Sequence, residues 1–224
     1  MGAAKLDPEM FNRTALIVVV VALAAGLGLI AAQKILSTPP TPGQPETSAI
    51  TLFPQPRELP DFALQQSDGT QLLPGELHGH WTIVFIGFTF CPDVCPMTLA
   101  ELSQAQRQWE DIPDAVRPRV LFVSVDPERD TPDRIGDYLS AFHGDTLGAT
   151  ADLPALEELT RSMSLVFMKV PSPDGVPEDQ YSIDHSSAMA ILDPQARMAG
   201  VLQGPLDPAA IAADLRMLTE AGRN

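Results

Sequence analysis

Two regimes of apolar and polar positions divide this chain. From Ala15 to Ala32 the run ALIVVVVALAAGLGLIAA holds no charged or strongly polar side chain over 18 positions. A helix of that length is roughly 27 Å long, close to a bilayer core, so the run predicts a single transmembrane helix. Ala31-Ala32-Gln33 offers a small-residue cleavage site, but the apolar region of a signal peptide is shorter, and an uncleaved anchor is the expectation. Residues 38–60 then carry seven prolines. That density favours extended backbone, and residues 37–56 read as a tether between an N-terminal tail and anchor, residues 1–36, and one domain, residues 57–224.

Within the domain the pattern shortens and begins to alternate. Asp61-Phe62-Ala63-Leu64 and Gln71-Leu72-Leu73 flank Ser67-Asp68-Gly69, which predicts a hairpin turning at Asp-Gly. Trp81 to Phe90 (WTIVFIGFTF) is continuously apolar, as a strand covered on both faces should be. A helix is predicted from Pro96 to Trp109, a second buried strand at Val120 to Val125, and a helix starting at Asp130-Thr131-Pro132. Leu153 to Met163 predicts another helix, Leu165 to Lys169 a short strand, and Pro171 to Pro177 a turn-rich insertion. Ala188 to Leu192 and Met198 to Leu202 predict a strand pair around Asp193-Pro194, and Pro208 to Leu218 a closing helix. This order is that of an α/β thioredoxin-like sandwich with an N-terminal hairpin and helices on both faces of a mixed sheet.

Charge narrows the partners. The net charge is −15. Through Gln55 the chain carries three basic and three acidic residues; from Pro56 onward it carries eleven and 26. Such a surface repels nucleic acid, and no basic patch offers a footprint for it. Lys5 and Arg13 precede the apolar run and Lys34 follows it. Two basic residues against one favour a cytoplasmic N-terminus. The expectation is a single-pass protein of the inner (cytoplasmic) membrane with its soluble domain on the periplasmic side, where disulfides are permitted.

The chemistry concentrates in Phe88-Thr89-Phe90-Cys91-Pro92-Asp93-Val94-Cys95-Pro96, which contains both cysteines of the chain. In a sandwich of this kind they fall where a central strand gives way to a helix. A helix N-terminus stabilises thiolate, with Cys91 expected in the loop and Cys95 near the helix start. His185 lies 90 residues beyond Cys95, in Asp184-His185-Ser186-Ser187, and a neighbouring strand would bring it to the same edge. Two thiolates and an imidazole suit a soft metal, Cu(I) above all, and are one ligand short of a closed zinc site. Three residues separate the cysteines where thioredoxin-type oxidoreductases have two, and no proline lies between Pro177 and Pro194. The same thiols could instead cycle through a disulfide, as in a membrane-tethered thiol-disulfide oxidoreductase, or attack peroxide. Asp184 is a candidate acceptor for the His185 ring, and Asp126 falls on the same functional edge. Met97 follows Cys95 closely, whereas His78, His80 and His143 read as surface residues.

Three segments together resemble the SCO/SenC family of membrane-tethered copper chaperones for cytochrome c oxidase assembly. They are Thr89-Phe90-Cys91-Pro92-Asp93-Val94-Cys95-Pro96, then Val123-Ser124-Val125-Asp126-Pro127-Glu128-Arg129-Asp130-Thr131-Pro132, and Asp184-His185-Ser186. The resemblance covers roughly residues 57–222. It implies that Cys91, Cys95 and His185 bind one copper ion, as Cu(I) or Cu(II). It also implies partners: cytochrome c oxidase subunit II, and other copper chaperones or thiol-disulfide reductases. Members are treated both as copper carriers and as reductases of the cysteines of the dinuclear copper centre.

Overall fold

The computed structural model describes residues 8–36 and 45–222, in two compact units. The first contains one long helix, α1 (Pro8–Leu36), which includes the Ala15–Ala32 run. Its leucines, isoleucines and valines are exposed along that run. Such a helix has the length and composition to cross a membrane.

The second unit is an eight-stranded mixed sheet with helices packed on it. In chain order its elements are β1 (Ile50–Arg57), β2 (Leu64–Gln66), β3 (Gln71–Leu72), β4 (Thr82–Gly87), α2 (Val94–Arg107), β5 (Arg119–Ser124), α3 (Pro132–Leu139), β6 (Thr146–Thr150) and α4 (Leu153–Ser162). There follow β7 (Phe167–Val170), β8 (Ser182–His185), β9 (Met189–Leu192), β10 (Met198–Leu202) and α5 (Pro208–Ala221). The sheet order is β1-β10-β9-β4-β5-β6-β2-β3, while β7 and β8 form a separate two-stranded sheet. β4, β5 and β6 run parallel, and β9 pairs antiparallel with β4. All six residues of β4 are buried, which is why its sequence shows no alternation. Phe85 and Phe122 meet across β4 and β5 at 5.8 Å between ring centroids.

Three helices start by one device. Thr131, Asp152 and Asp207 each accept a backbone N–H of the first turn, and each is followed within two residues by a proline. The side chain satisfies a donor with no partner inside the helix, and proline lacks the N–H that would need one. The predicted hairpin is β2–β3. Asp68 accepts from the N–H and hydroxyl of Thr70, and Gly69 takes φ +85°, a conformation that favours glycine.

Three expectations need correction. Residues 50–56, assigned to the tether, belong to β1 on the sheet edge; residues 37–44 of that stretch lie outside the described residues. Pro54 and Pro56 are tolerated because β1 is an edge strand whose register with β10 shifts between Leu52 and Arg57. β6 was not anticipated, because TLGAT carries little apolar signal. Its Gly148 is required by packing: a Cβ there would lie 2.4 Å from Leu139 and 2.6 Å from Ile135, on the α3 face above it. β8 was also missed, within a stretch dominated by turn residues.

The domain secures its own N-terminal end. Asp214, buried on α5, accepts hydrogen bonds from the N–H groups of Ser48, Ala49 and Ile50 and from the Ser48 hydroxyl. Removing the acceptor would leave several donors unpaired, each costing about 1–3 kcal/mol if it stays buried. Asp214→Ala is expected to lower stability by about 2–4 kcal/mol, read from urea unfolding. Limited proteolysis should begin within residues 45–57; unchanged stability and protection would contradict the clamp.

Candidate metal centre

β4 ends at Gly87, and the chain leaves the sheet through Phe88-Thr89-Phe90 before α2 begins at Val94. The helix thus starts ahead of Cys95, placing it in the first turn, whereas Cys91 lies in the loop. The Cys95 N–H points to Cys91 Sγ at 3.3 Å. Gly87 makes room for the second sulfur: a Cβ there would lie 2.9 Å from both Cys95 Sγ and the Phe122 ring.

His185 reaches the cysteines from the end of β8. The sequence placed it at the start of a strand of the main sheet; instead it ends the separate hairpin, three residues before β9. Its ring stands edge-on to Phe85 and Phe88, with centroids 6.1 and 6.2 Å away. Nδ1 lies 3.1 Å from the Ser186 carbonyl. A carbonyl only accepts, so the proton sits on Nδ1 and the Nε2 lone pair faces Cys95 Sγ, 3.5 Å away. The ring is therefore oriented by the Ser186 carbonyl, and the candidate acceptor Asp184 is exposed, opposite Met168 in the β7–β8 register.

Cys91 Sγ, Cys95 Sγ and the His185 nitrogen all lie within 4.8 Å of one another, and among the described residues no other histidine, cysteine or acidic side chains form such a group. Two sulfurs and one imidazole nitrogen fit copper by softness and by number. Asp126 is buried and engaged elsewhere, by the Tyr181 hydroxyl at 2.6 Å and Arg129 Nε at 2.6 Å. Met97 is exposed. His78 is exposed as expected, but His80 is buried, its Nδ1 donating to the Arg117 carbonyl, and burial lowers its pKa. His143 pairs with Glu110 at 2.9 Å.

The two thiols differ. Cys95 has 0% exposure, and burial drives its thiol far above the ordinary range, outweighing the thiolate stabilisation expected at a helix N-terminus. Cys91 is half-buried.

The sequence concealed the residues that frame this site. Asp130 accepts from the Thr89 N–H at 2.8 Å, the Thr89 hydroxyl at 2.6 Å and the Ser124 hydroxyl at 2.5 Å. It thereby ties the cysteine loop to the end of β5. Arg129 and Arg134 both stack on Phe90, at 4.6 and 4.0 Å from its centroid. Asp126-Pro127-Glu128-Arg129-Asp130 stood out in the sequence as part of a segment resembling a known family and as a helix start, but neither reading showed these contacts.

In reduced, metal-free protein at pH 7.5, iodoacetamide is expected to label Cys91 before Cys95, with the order read by peptide mass spectrometry. Equal labelling, or Cys95 first, would contradict the assigned burial. Gly87→Ala should displace Cys95 or the Phe122 ring and alter this reactivity, whereas an unchanged labelling rate at both thiols would show that the site has slack.

Comparison with known proteins agrees with the geometry. The sequence model of the SCO1/SenC family matches residues 53–220. A putative copper-binding protein of Stutzerimonas stutzeri is 31% identical over 159 residues, 70% of this chain and 74% of that protein. The mitochondrial SCO2 homolog of Bos taurus is 34% identical over 134 residues, 60% of this chain; the chain spans about half the length of that relative, 49%. Among solved structures, Bradyrhizobium japonicum ScoI with copper bound is 33% identical with a TM-score of 0.63, covering 71% of this chain and 98% of that one. Arabidopsis thaliana ScoI with copper bound is 29% identical with a TM-score of 0.63, covering 73% and 97%. The fold is thioredoxin-like, and the chain belongs to the SCO1/SenC family.

Proposed function

We propose that this protein is a membrane-anchored copper chaperone that binds one copper ion through Cys91, Cys95 and His185. The ion, Cu(I) or Cu(II), is its cargo. It supports assembly of the dinuclear copper centre of cytochrome c oxidase subunit II. The observation that carries this reading is the convergence of three soft-metal donors, from a loop, a helix and a separate hairpin, within 4.8 Å. The copper-bound relatives and the family's association with oxidase assembly support it.

Residues 1–36 serve as tail and single-pass anchor in the inner membrane, with a proline-rich tether from residue 37 leading to the copper-binding domain. That β1 spans Ile50–Arg57 supports counting residues 50–56 with the domain rather than with the tether. The excess of basic residues before the apolar run places the domain on the periplasmic side. Cys91 is the more accessible ligand, and Phe90, Val94 and Met97 beside the cysteines are exposed. Cargo passes to subunit II, and arrives from other copper chaperones, across this face. Ligand thiols must lose their protons on metal capture, so loading releases the proton that burial keeps on Cys95.

The second reading, a thiol-disulfide reductase or peroxidase, rests on one half-exposed and one buried cysteine, the arrangement of an attacking and a resolving thiol. It uses both cysteines and leaves His185 dispensable.

The full chain in detergent micelles, reduced and titrated with Cu(I) against a competing chelator, is expected to capture one equivalent. Cys91→Ala and Cys95→Ala should each abolish tight capture, and His185→Ala should weaken it sharply. Transfer to the metal-free soluble domain of subunit II should follow from the wild type alone. Capture indifferent to His185, with turnover of protein disulfides by the cysteine pair, would replace this reading with the enzyme.

A further inference from the structure

His185 belongs to a hairpin that no backbone ladder joins to the main sheet. Among the described residues β7 and β8 pair only with each other. Three residues separate His185 from β9. Tyr181 and Ile183 are buried, but apolar contact is non-directional and does not by itself aim an imidazole at a sulfur.

Directed contacts come from the loop after β5: Lys169 of β7 pairs with Glu128, and the rest centre on Arg129. Arg129 Nη1 donates to the carbonyls of Asp179 and Tyr181, at 3.1 and 2.9 Å, in the segment that leads into β8. Its Nε donates to Asp126, which in turn accepts from the Tyr181 hydroxyl. The guanidinium lies 3.5 Å from the Tyr181 ring centroid, and Lys169 Nζ is 3.8 Å from the same centroid. Arg129 also stacks on Phe90 and Phe88; Phe88 is one of the two rings against His185. The neighbouring Asp130 grips Thr89 on the cysteine side. Two consecutive residues of one loop thus hold the two halves of the site, Asp130 the cysteines and Arg129 the histidine.

The arrangement is costly. Arg129 Nη2 is buried without a partner, and a buried guanidinium with an orphan N–H is poor value for stability alone. We propose that Arg129 is a positioning residue for the metal centre, acting through His185 by fixing the hairpin's height above the cysteine loop. The inference rests on the copper-binding reading for its affinity arm and on the metal-free protein for its other arm.

The test uses Arg129→Lys and Arg129→Met, alone and combined with His185→Ala, in the full chain in detergent. Lysine keeps the charge near Asp126 but lacks the planar fork that reaches Asp126 and two carbonyls together. Each single variant is expected to weaken Cu(I) capture about 10–100-fold, the usual effect of losing support behind a ligand. Neither should weaken it further once His185 is alanine. In reduced, metal-free protein, nuclear Overhauser contacts of the His185 ring with Phe85 and Phe88 should be lost while those between Phe85 and Phe122 persist. Additive losses in the double variants, wild-type affinity in both single variants, or intact His185 contacts would each overturn the proposal. Loss of the Phe85–Phe122 contacts in both would also overturn it, marking Arg129 as a residue of general stability. If the wild type captures no copper, the chaperone reading fails, and the ring contacts still decide the role of Arg129.

Discussion

The site depends on a carboxyl group with no access to water. Asp130 lies in the loop between β5 and α3 with its side chain fully buried, where an unpaired polar group would cost several kcal/mol. It is matched by three donors, two of them from Thr89, two residues before Cys91. The chain therefore cannot leave β4 in any direction; it must pass Asp130 to satisfy it. The cysteine loop inherits its place from that requirement, and Gly87 and the start of α2 determine where the second sulfur falls.

Burial then divides the work between the donors. Water is excluded from Cys95, and burial holds its thiol well above the ordinary pKa range, while Cys91 stays within reach of solvent. The Ser186 carbonyl holds the imidazole in the tautomer that offers a lone pair to this pocket. A soft cation gains most from such a setting, since thiolate and imidazole supply electron density without the oxygen ligands that hard cations require. The same pocket gives a bare thiolate little help, which is why a metal carrier follows from this geometry more directly than a thiol enzyme does.

Much of this was legible before any coordinates. β4 and β5 announced themselves as unbroken apolar runs, and the helix starts expected at Asp130-Thr131-Pro132, Leu153 and Pro208 lie within a residue or two of those observed. The cysteine pair and His185 stood out by residue type and spacing. What stayed hidden was set by tertiary contact. β6 is short and weakly apolar because Gly148 must admit the side chains of α3. β1 was obscured by Pro54 and Pro56, which look like linker and are tolerated at an edge. The hairpin position of His185 could not be read, since β8 carries alternating polar residues within a turn-rich stretch. The roles of Arg129 and Asp130 depend on partners 41 to 52 residues away, and no local pattern encodes those.

Copper capture by this protein requires Cys91, Cys95 and His185 to ligate one ion together. X-ray absorption at the copper edge, on the reduced full chain loaded with one equivalent of Cu(I), reads them directly. Two sulfur scatterers and one imidazole nitrogen are expected, with the nitrogen lost in His185→Ala. A shell of sulfur alone, or one unchanged by that substitution, would contradict the three-ligand centre.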